Sequence, residues 1–212
     1  MLSFALPKGR LLQSALGRLR AAGLTLPDAE ALDRKLIWQD GNTRVILAKP
    51  MDVPTLVRFG AADLGICGSD VLDEDGDGLA QPLGLAIGRC RLSLAAAADG
   101  PIQAIEDCHG RRIASKYPVA THRFFAARDI EVQVIELHGS VEIGPLTGLS
   151  DAIVDLVESG RTLKENGLVE LATVATVEAR LVASRAALKL KQLETARLIG
   201  AMRELIAAEA KP

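Results

Sequence analysis

Short apolar runs of strand length alternate with helical patterns along most of this chain, and that alternation limits its folds more than any single motif. Strand-like runs fall at Leu2–Leu6, Thr43–Ala48, Leu64–Cys67, Arg91–Ala97, Arg112–Ser115, Glu131–Glu136, Leu168–Val174 and Ala179–Ala183. Helical patterns lie between them, near Arg10–Ala22, Val53–Phe59, Pro118–Arg128 and Leu149–Glu158. Such alternation implies βαβ units and mainly parallel sheets. A chain of 212 residues holds one large domain or two small ones. Two irregular apolar connections, Gly88–Leu92 and Thr176–Leu181, read as crossings between lobes. Lobe one then takes residues 1–92 plus 180–212, and lobe two takes 93–179. The fold expected is two-lobed α/β with a cleft between the lobes, where ligands meet the carboxyl ends of the strands. Ser184 is placed to cap a helix from Arg185 to about Glu209, with Leu188, Thr195, Ile199, Met202 and Ile206 on one face.

Composition removes several functions. Aromatics are 3% of residues, too few for base stacking, and a net charge of −2 gives no global pull on nucleic acid. Any anion must therefore meet a local basic cluster. Cys67, Cys90 and Cys108 are odd in number and far apart, which suits free thiols in a reducing cytoplasm. No apolar run reaches membrane-spanning length, and Lys8 and Arg10 interrupt the first run too early for an export signal.

The segment Glu142–Leu163 carries the densest chemistry. Asp151 and Asp155 are four residues apart, and on a helix they share a face. They are either a solvated pair or a pair bridged by a ligand such as a ribose diol. Ser159-Gly160-Arg161-Thr162 follows, where a glycine turn can aim amides and hydroxyls at a dianion. Arg161 or Lys164 can add charge there. Lys8-Gly9-Arg10 and Lys49 stand at the ends of two strand runs and suit a polyphosphate. Asp70 follows another strand end, where it either accepts hydrogen bonds from a ligand or caps a turn.

Other signals fail. Asp73-Glu-Asp75-Gly-Asp77-Gly78 begins like a calcium loop but has Gly84 at the twelfth position, so it reads as a turn. His109, His122 and His138 lack metal-ligand spacing, and Cys67 lies in an apolar strand as a core residue.

These residues resemble the ATP phosphoribosyltransferase family in its short form, which catalyses the first step of histidine biosynthesis. The family signature is matched from Glu142 through Gly148, Ser150, Ile153, Asp155, Leu156, Ser159, Gly160 and Thr162 to Leu163. Further matches are Leu6–Leu11, Gly60–Asp70, Arg112–Pro118 and Leu163–Leu168. Ser115 stands where Thr is common and Ser150 where Ala is common. The resemblance implies a periplasmic-binding-protein-like fold whose second lobe binds phosphoribosyl pyrophosphate. It puts the 5-phosphate on Ser159, Gly160, Arg161 and Thr162, and the ribose hydroxyls on Asp151 and Asp155, with Glu142 nearby. Lys8, Arg10 and Lys49 would meet the leaving pyrophosphate, and Asp70, Lys116 and Tyr117 the ATP. Mg²⁺ would arrive on substrate phosphates rather than in a protein cage. The chain stops at Pro212, without the added regulatory domain of long forms. That implies a homodimer and a hetero-oligomer with a regulatory subunit similar to histidyl-tRNA synthetase. Two rivals stand beside this reading: a non-catalytic solute-binding module, and phosphoribosyl transfer to another base.

Overall fold

The computed structural model describes residues 1–32 and 35–210. In chain order the first elements are β1 (Leu2–Pro7), α1 (Arg10–Ala21), α2 (Ala29–Leu32), β2 (Ile37–Asp40), β3 (Thr43–Ala48), α3 (Val53–Arg58), β4 (Leu64–Gly68), α4 (Ser69–Asp75) and β5 (Ala80–Gly84). Next come β6 (Cys90–Ala97), β7 (Arg112–Ser115), α5 (Pro118–Ala126), β8 (Gln133–Glu136), α6 (Ile143–Thr147), β9 (Ala152–Val157), α7 (Arg161–Glu165) and β10 (Leu168–Val177). The chain then runs through β11 (Ala179–Ala183), α8 (Arg185–Leu190) and α9 (Gln192–Glu209). It divides into two units, Met1–Gly88 with the residues from Glu178 onward, and Arg89–Val177.

The first unit holds a sheet in the order β2-β3-β1-β4-β11-β5. β1 runs parallel to β3 and β4, while β2 and β11 run against their neighbours. All six residues of β1 are buried, because helices cover both faces of a central strand. Phe4 and Leu6 pack with Leu12, Leu16 and Leu19 of α1 and with Leu198 and Met202 of α9. Ala5 and Cys67 point the other way, onto Val53 and Val57 of α3 and Val71 of α4. At the amino-terminal end of these strands, the Asp63 carboxylate accepts from the Ser3 amide and hydroxyl and from Lys191 Nζ, each at 2.7 Å.

The second unit's sheet runs β10-β6-β9-β7-β8. β7, β8 and β9 are parallel, and β6 runs against both β9 and β10. Counted by direction, four of five strands here and four of six in the first sheet run the same way. Tyr117, Phe124 and Phe125 pack on Ala152 and Val154 on one face. Ile153, Val157, Leu163 and Leu168 form the core on the other.

Four expectations need correction. The helix expected over Leu149–Glu158 is strand β9. Its Ala-Ile-Val-Asp-Leu-Val core is rich in β-branched residues and is sandwiched between two apolar clusters. Of the segment Asp73–Gly78 expected as a turn, Asp73–Asp75 instead end α4, while Asp77 and Gly78 do form a turn. The single C-terminal helix is broken at Lys191 (φ −122°, ψ 40°) into α8 and α9. Lys191 there spends its ammonium on Asp63 and on the Met1 carbonyl. β2 and β5, edge strands with little apolar alternation, were not expected at all. Ser184 does cap α8, accepting from the Ala187 amide at 3.0 Å, and Leu190 and Leu193 are left exposed.

Candidate active site

In the first unit, the strand order β3-β1-β4 brings three parallel carboxyl ends side by side. Lys8 leaves β1 and Lys49 leaves β3, and the Lys8 amide donates to the Ala48 carbonyl at 2.8 Å. Both lysines are exposed, as is Arg10, the first residue of α1. Three cations thus stand on one edge of the sheet. The third exit, Gly68-Ser69-Asp70, opens α4 with Asp70 in its first turn. Asp70 is 6% exposed and its carboxylate folds over Gly68, where a Cβ would lie 1.9 Å from Oδ1. Only glycine tolerates that approach. Burial, then the charge of Asp70, pushes the Cys67 thiol up to about 12, so Cys67 is inert core, as its setting implied.

In the second unit, β9 delivers the acidic residue and the loop together. Asp155 sits in the last half of β9, with Lys116 Nζ, just past β7, 3.8 Å from its Oδ2. Ser93 of β6 is its cross-strand partner. Beyond Val157 the chain surfaces as Glu158-Ser159 and turns through Gly160 at φ 76°. Non-glycine residues reach that left-handed region only with strain. Ser159 Oγ accepts from the Arg161 amide at 3.4 Å. Val157 before the loop and Leu163 after it are both buried in one apolar cluster. The exposed hydroxyls of Ser159 and Thr162 are therefore carried on a segment anchored at both ends.

Not every expected residue joins this edge. Asp151 immediately precedes β9 and Asp155 lies within it, so extended chain rather than one helical turn separates them, by roughly 13 Å. Asp151 lies at the amino-terminal end, accepting from the Arg112 amide at 2.9 Å and from its Nε at 3.4 Å. The Arg112 amide, then its side chain, holds the Asp151 carboxyl below its ordinary value. Asp151 is thus a strand-end clamp, and one ribose diol cannot bridge both acids. Tyr117, expected on the ATP side, is 6% exposed and packs in the apolar cluster beside β9. Glu142 is half-buried as the cap residue of α6. Arg161 and Lys164 are exposed on α7.

One cluster was not anticipated. Arg91 forks onto Glu170, Nε to Oε1 at 2.6 Å and NH2 to Oε2 at 2.5 Å, and Ser93 Oγ donates to the same carboxylate at 2.8 Å. The partners are 79 residues apart, so no local spacing announces them. Among the described residues, no group of three or more His, Cys, Asp or Glu side chains is placed to hold a metal. No helix among them is long and apolar enough to cross a membrane.

Known proteins share this chain's sequence and fold. A family model described as HisG, ATP phosphoribosyltransferase, matches residues 49–204, well over half of the chain. An ATP phosphoribosyltransferase of Albidiferax ferrireducens is 46% identical over 210 residues, covering 97% of this chain and 99% of the relative. One from Pyrococcus furiosus is also 46% identical, over 187 residues, with 88% and 90% covered. A solved chain titled ATP phosphoribosyl transferase (HisG:HisZ) complex, from Thermotoga maritima, aligns with a TM-score of 0.81. It is 32% identical, with 98% of this chain and 100% of that chain covered. The alkanesulfonate-binding protein SsuA of Xanthomonas axonopodis pv. citri aligns at TM-score 0.63 with 15% identity, over 96% of this chain and 72% of that one. That last likeness concerns the fold alone, and it is the periplasmic-binding-protein fold.

Proposed function

The chain belongs to the ATP phosphoribosyltransferase family, and from that premise we infer which of its residues carry the reaction. The reaction is a pentosyl transfer, the first step of histidine biosynthesis. ATP and phosphoribosyl pyrophosphate give N1-(5-phosphoribosyl)-ATP and pyrophosphate. Adenine N1 has a free lone pair at neutral pH, so the chemistry needs alignment and charge stabilisation rather than an activated side-chain nucleophile. As the N1–C1 bond forms, the C1–O bond breaks and its electron pair leaves on pyrophosphate. The charge gained by the adenine is relieved by loss of a proton from its amino group to solvent.

In this reading the second unit holds phosphoribosyl pyrophosphate. Ser159, Gly160, Arg161 and Thr162 take the 5-phosphate, and Asp155 takes the ribose hydroxyls with Glu142 in support. Asp155 also faces the positive charge that develops at C1. Lys8, Arg10 and Lys49 form a cationic edge of the first unit suited to a polyphosphate. Lys116 serves the ATP, and Asp70, being buried, shapes the edge at Gly68. The observation that carries this assignment is that one strand, β9, presents Asp155 and then an exposed hydroxyl-and-amide turn pinned at both ends. Mg²⁺ travels with the substrate phosphates and neutralises part of their charge.

The Thermotoga maritima relative is titled as a HisG:HisZ complex. We propose that this chain likewise works in a hetero-oligomer, with a HisZ-like subunit that resembles histidyl-tRNA synthetase, in the cytoplasm. Purified chain with ATP, phosphoribosyl pyrophosphate and Mg²⁺ tests the function through the ultraviolet absorbance of N1-alkylated adenine, with and without a HisZ-like partner. Product in either mixture supports it. Folded protein that binds both ligands and yields none in either mixture overturns it.

A further inference from the structure

We infer that Arg91 is a positioning residue for the turn Ser159–Thr162, held in place by Glu170, a role that rests on assigning that turn to the 5-phosphate. Arg91 is the second residue of β6 and pairs with Val157, the last residue of β9, so it lies beside the point where the chain leaves the sheet. Its NH1 donates to the Glu158 carbonyl at 3.3 Å. That carbonyl and the Ser159 amide belong to one planar trans peptide, in which C=O and N–H point opposite ways. Anchoring the carbonyl on Arg91 therefore turns the Ser159 N–H away from Arg91 and fixes where the turn begins.

The guanidinium is itself held on its other edge. Glu170 takes Nε and NH2 in a two-point fork and accepts a third bond from Ser93. Glu170 also sits where β10 shifts register against β6, and such irregularities re-aim side chains. A fork of this kind needs the planar, five-donor arginine; a lysine ammonium cannot hold both carboxylate oxygens and the carbonyl in that geometry. Glu170 offsets the arginine's charge, so the group's part here is directional. Ser93 is in addition the cross-strand partner of Asp155, which ties the same cluster to the ribose end of the site.

The test compares Arg91→Lys, Glu170→Gln and Thr162→Val with the unaltered chain. Calorimetric titration with phosphoribosyl pyrophosphate and Mg²⁺, and separately with ATP, is read beside thermal melts. Arg91→Lys and Glu170→Gln should each weaken phosphoribosyl pyrophosphate binding about tenfold, with ATP binding held within about twofold and cooperative melting kept. If Arg91→Lys does not fold, Glu170→Gln, which keeps shape and one acceptor, decides. Unchanged phosphoribosyl pyrophosphate affinity, while Thr162→Val weakens it, overturns the role of Arg91 and leaves the phosphate turn standing. An equal loss for both ligands overturns it too, since only a general structural role would remain. If Thr162→Val is also silent, the assignment of the turn fails, and the role of Arg91 with it.

Discussion

At the scale of single residues, Asp155 within β9 and Ser150 just before it separate function from packing. Asp155 is held by local geometry, and asparagine keeps its shape while removing the charge. We expect Asp155→Asn to lower kcat by about a hundredfold or more while moving the melting temperature by only a few degrees. Steady-state kinetics and calorimetry on one preparation would check it, and near-normal kcat would take Asp155 out of the site. Ser150 is the converse case. Its hydroxyl is buried without a hydrogen-bond partner, pressed where a Cβ on Gly144 would lie 2.3 Å from it. Ser150→Ala should therefore stabilise the protein by about 1 kcal/mol, raising the melting temperature by about 2–4 °C, with unchanged kinetics. A drop in melting temperature would show that the hydroxyl has a use. The turn Ser159–Thr162 and Asp155, proposed for the sugar phosphate, could be singled out because their residue types sit together in the chain. Arg91 and Glu170 were not, because what unites them is a strand pairing across 79 residues.

At the scale of elements, the buried central strands were readable as apolar runs, and edge strands β2 and β5 were not. β9 was mistaken for a helix because two acids four apart fit both periods, and only burial on both faces decides between them. Short α6 and α7, five residues each, show no full helical period to read. The break between α8 and α9 has no glycine or proline to announce it; the tertiary bond from Lys191 to Asp63 accompanies it. Burial alone would raise the Asp63 carboxyl, but hydrogen bonds from Lys191 and Ser3 outweigh it and hold it below its ordinary value of 3.8. A depressed carboxyl stabilises the fold at higher pH and loses that contribution as pH falls below 3.8. Asp63→Asn should thus melt earlier than the unaltered chain at pH 7, and the two should converge on acidification. Melting curves that stay parallel down to strong acid would remove Asp63 from the pH response.

At the scale of the whole molecule, the second unit is an uninterrupted stretch whose two ends meet. Cys90 at the start of β6 is paired with Val177 at the end of β10. It has its own sheet and two apolar clusters. A fragment spanning Arg89–Val177 is expected to fold alone, with a cooperative thermal transition by circular dichroism; a featureless melt would contradict that. The first unit has no such independence, because β11 lies between β4 and β5 and comes from beyond the inserted stretch. A fragment ending at Gly88 should be aggregation-prone, with the β4 edge open. The same threading sets an order during synthesis. The ribosome makes β1 to β5 first, yet their sheet waits through the 89 residues of Arg89–Val177, roughly 4–18 s at about 5–20 residues per second. The part of the protein that is born first is the part that matures last. Through that interval the nascent chain carries an unfinished sheet edge, which is the stage at which a chaperone has the most to protect.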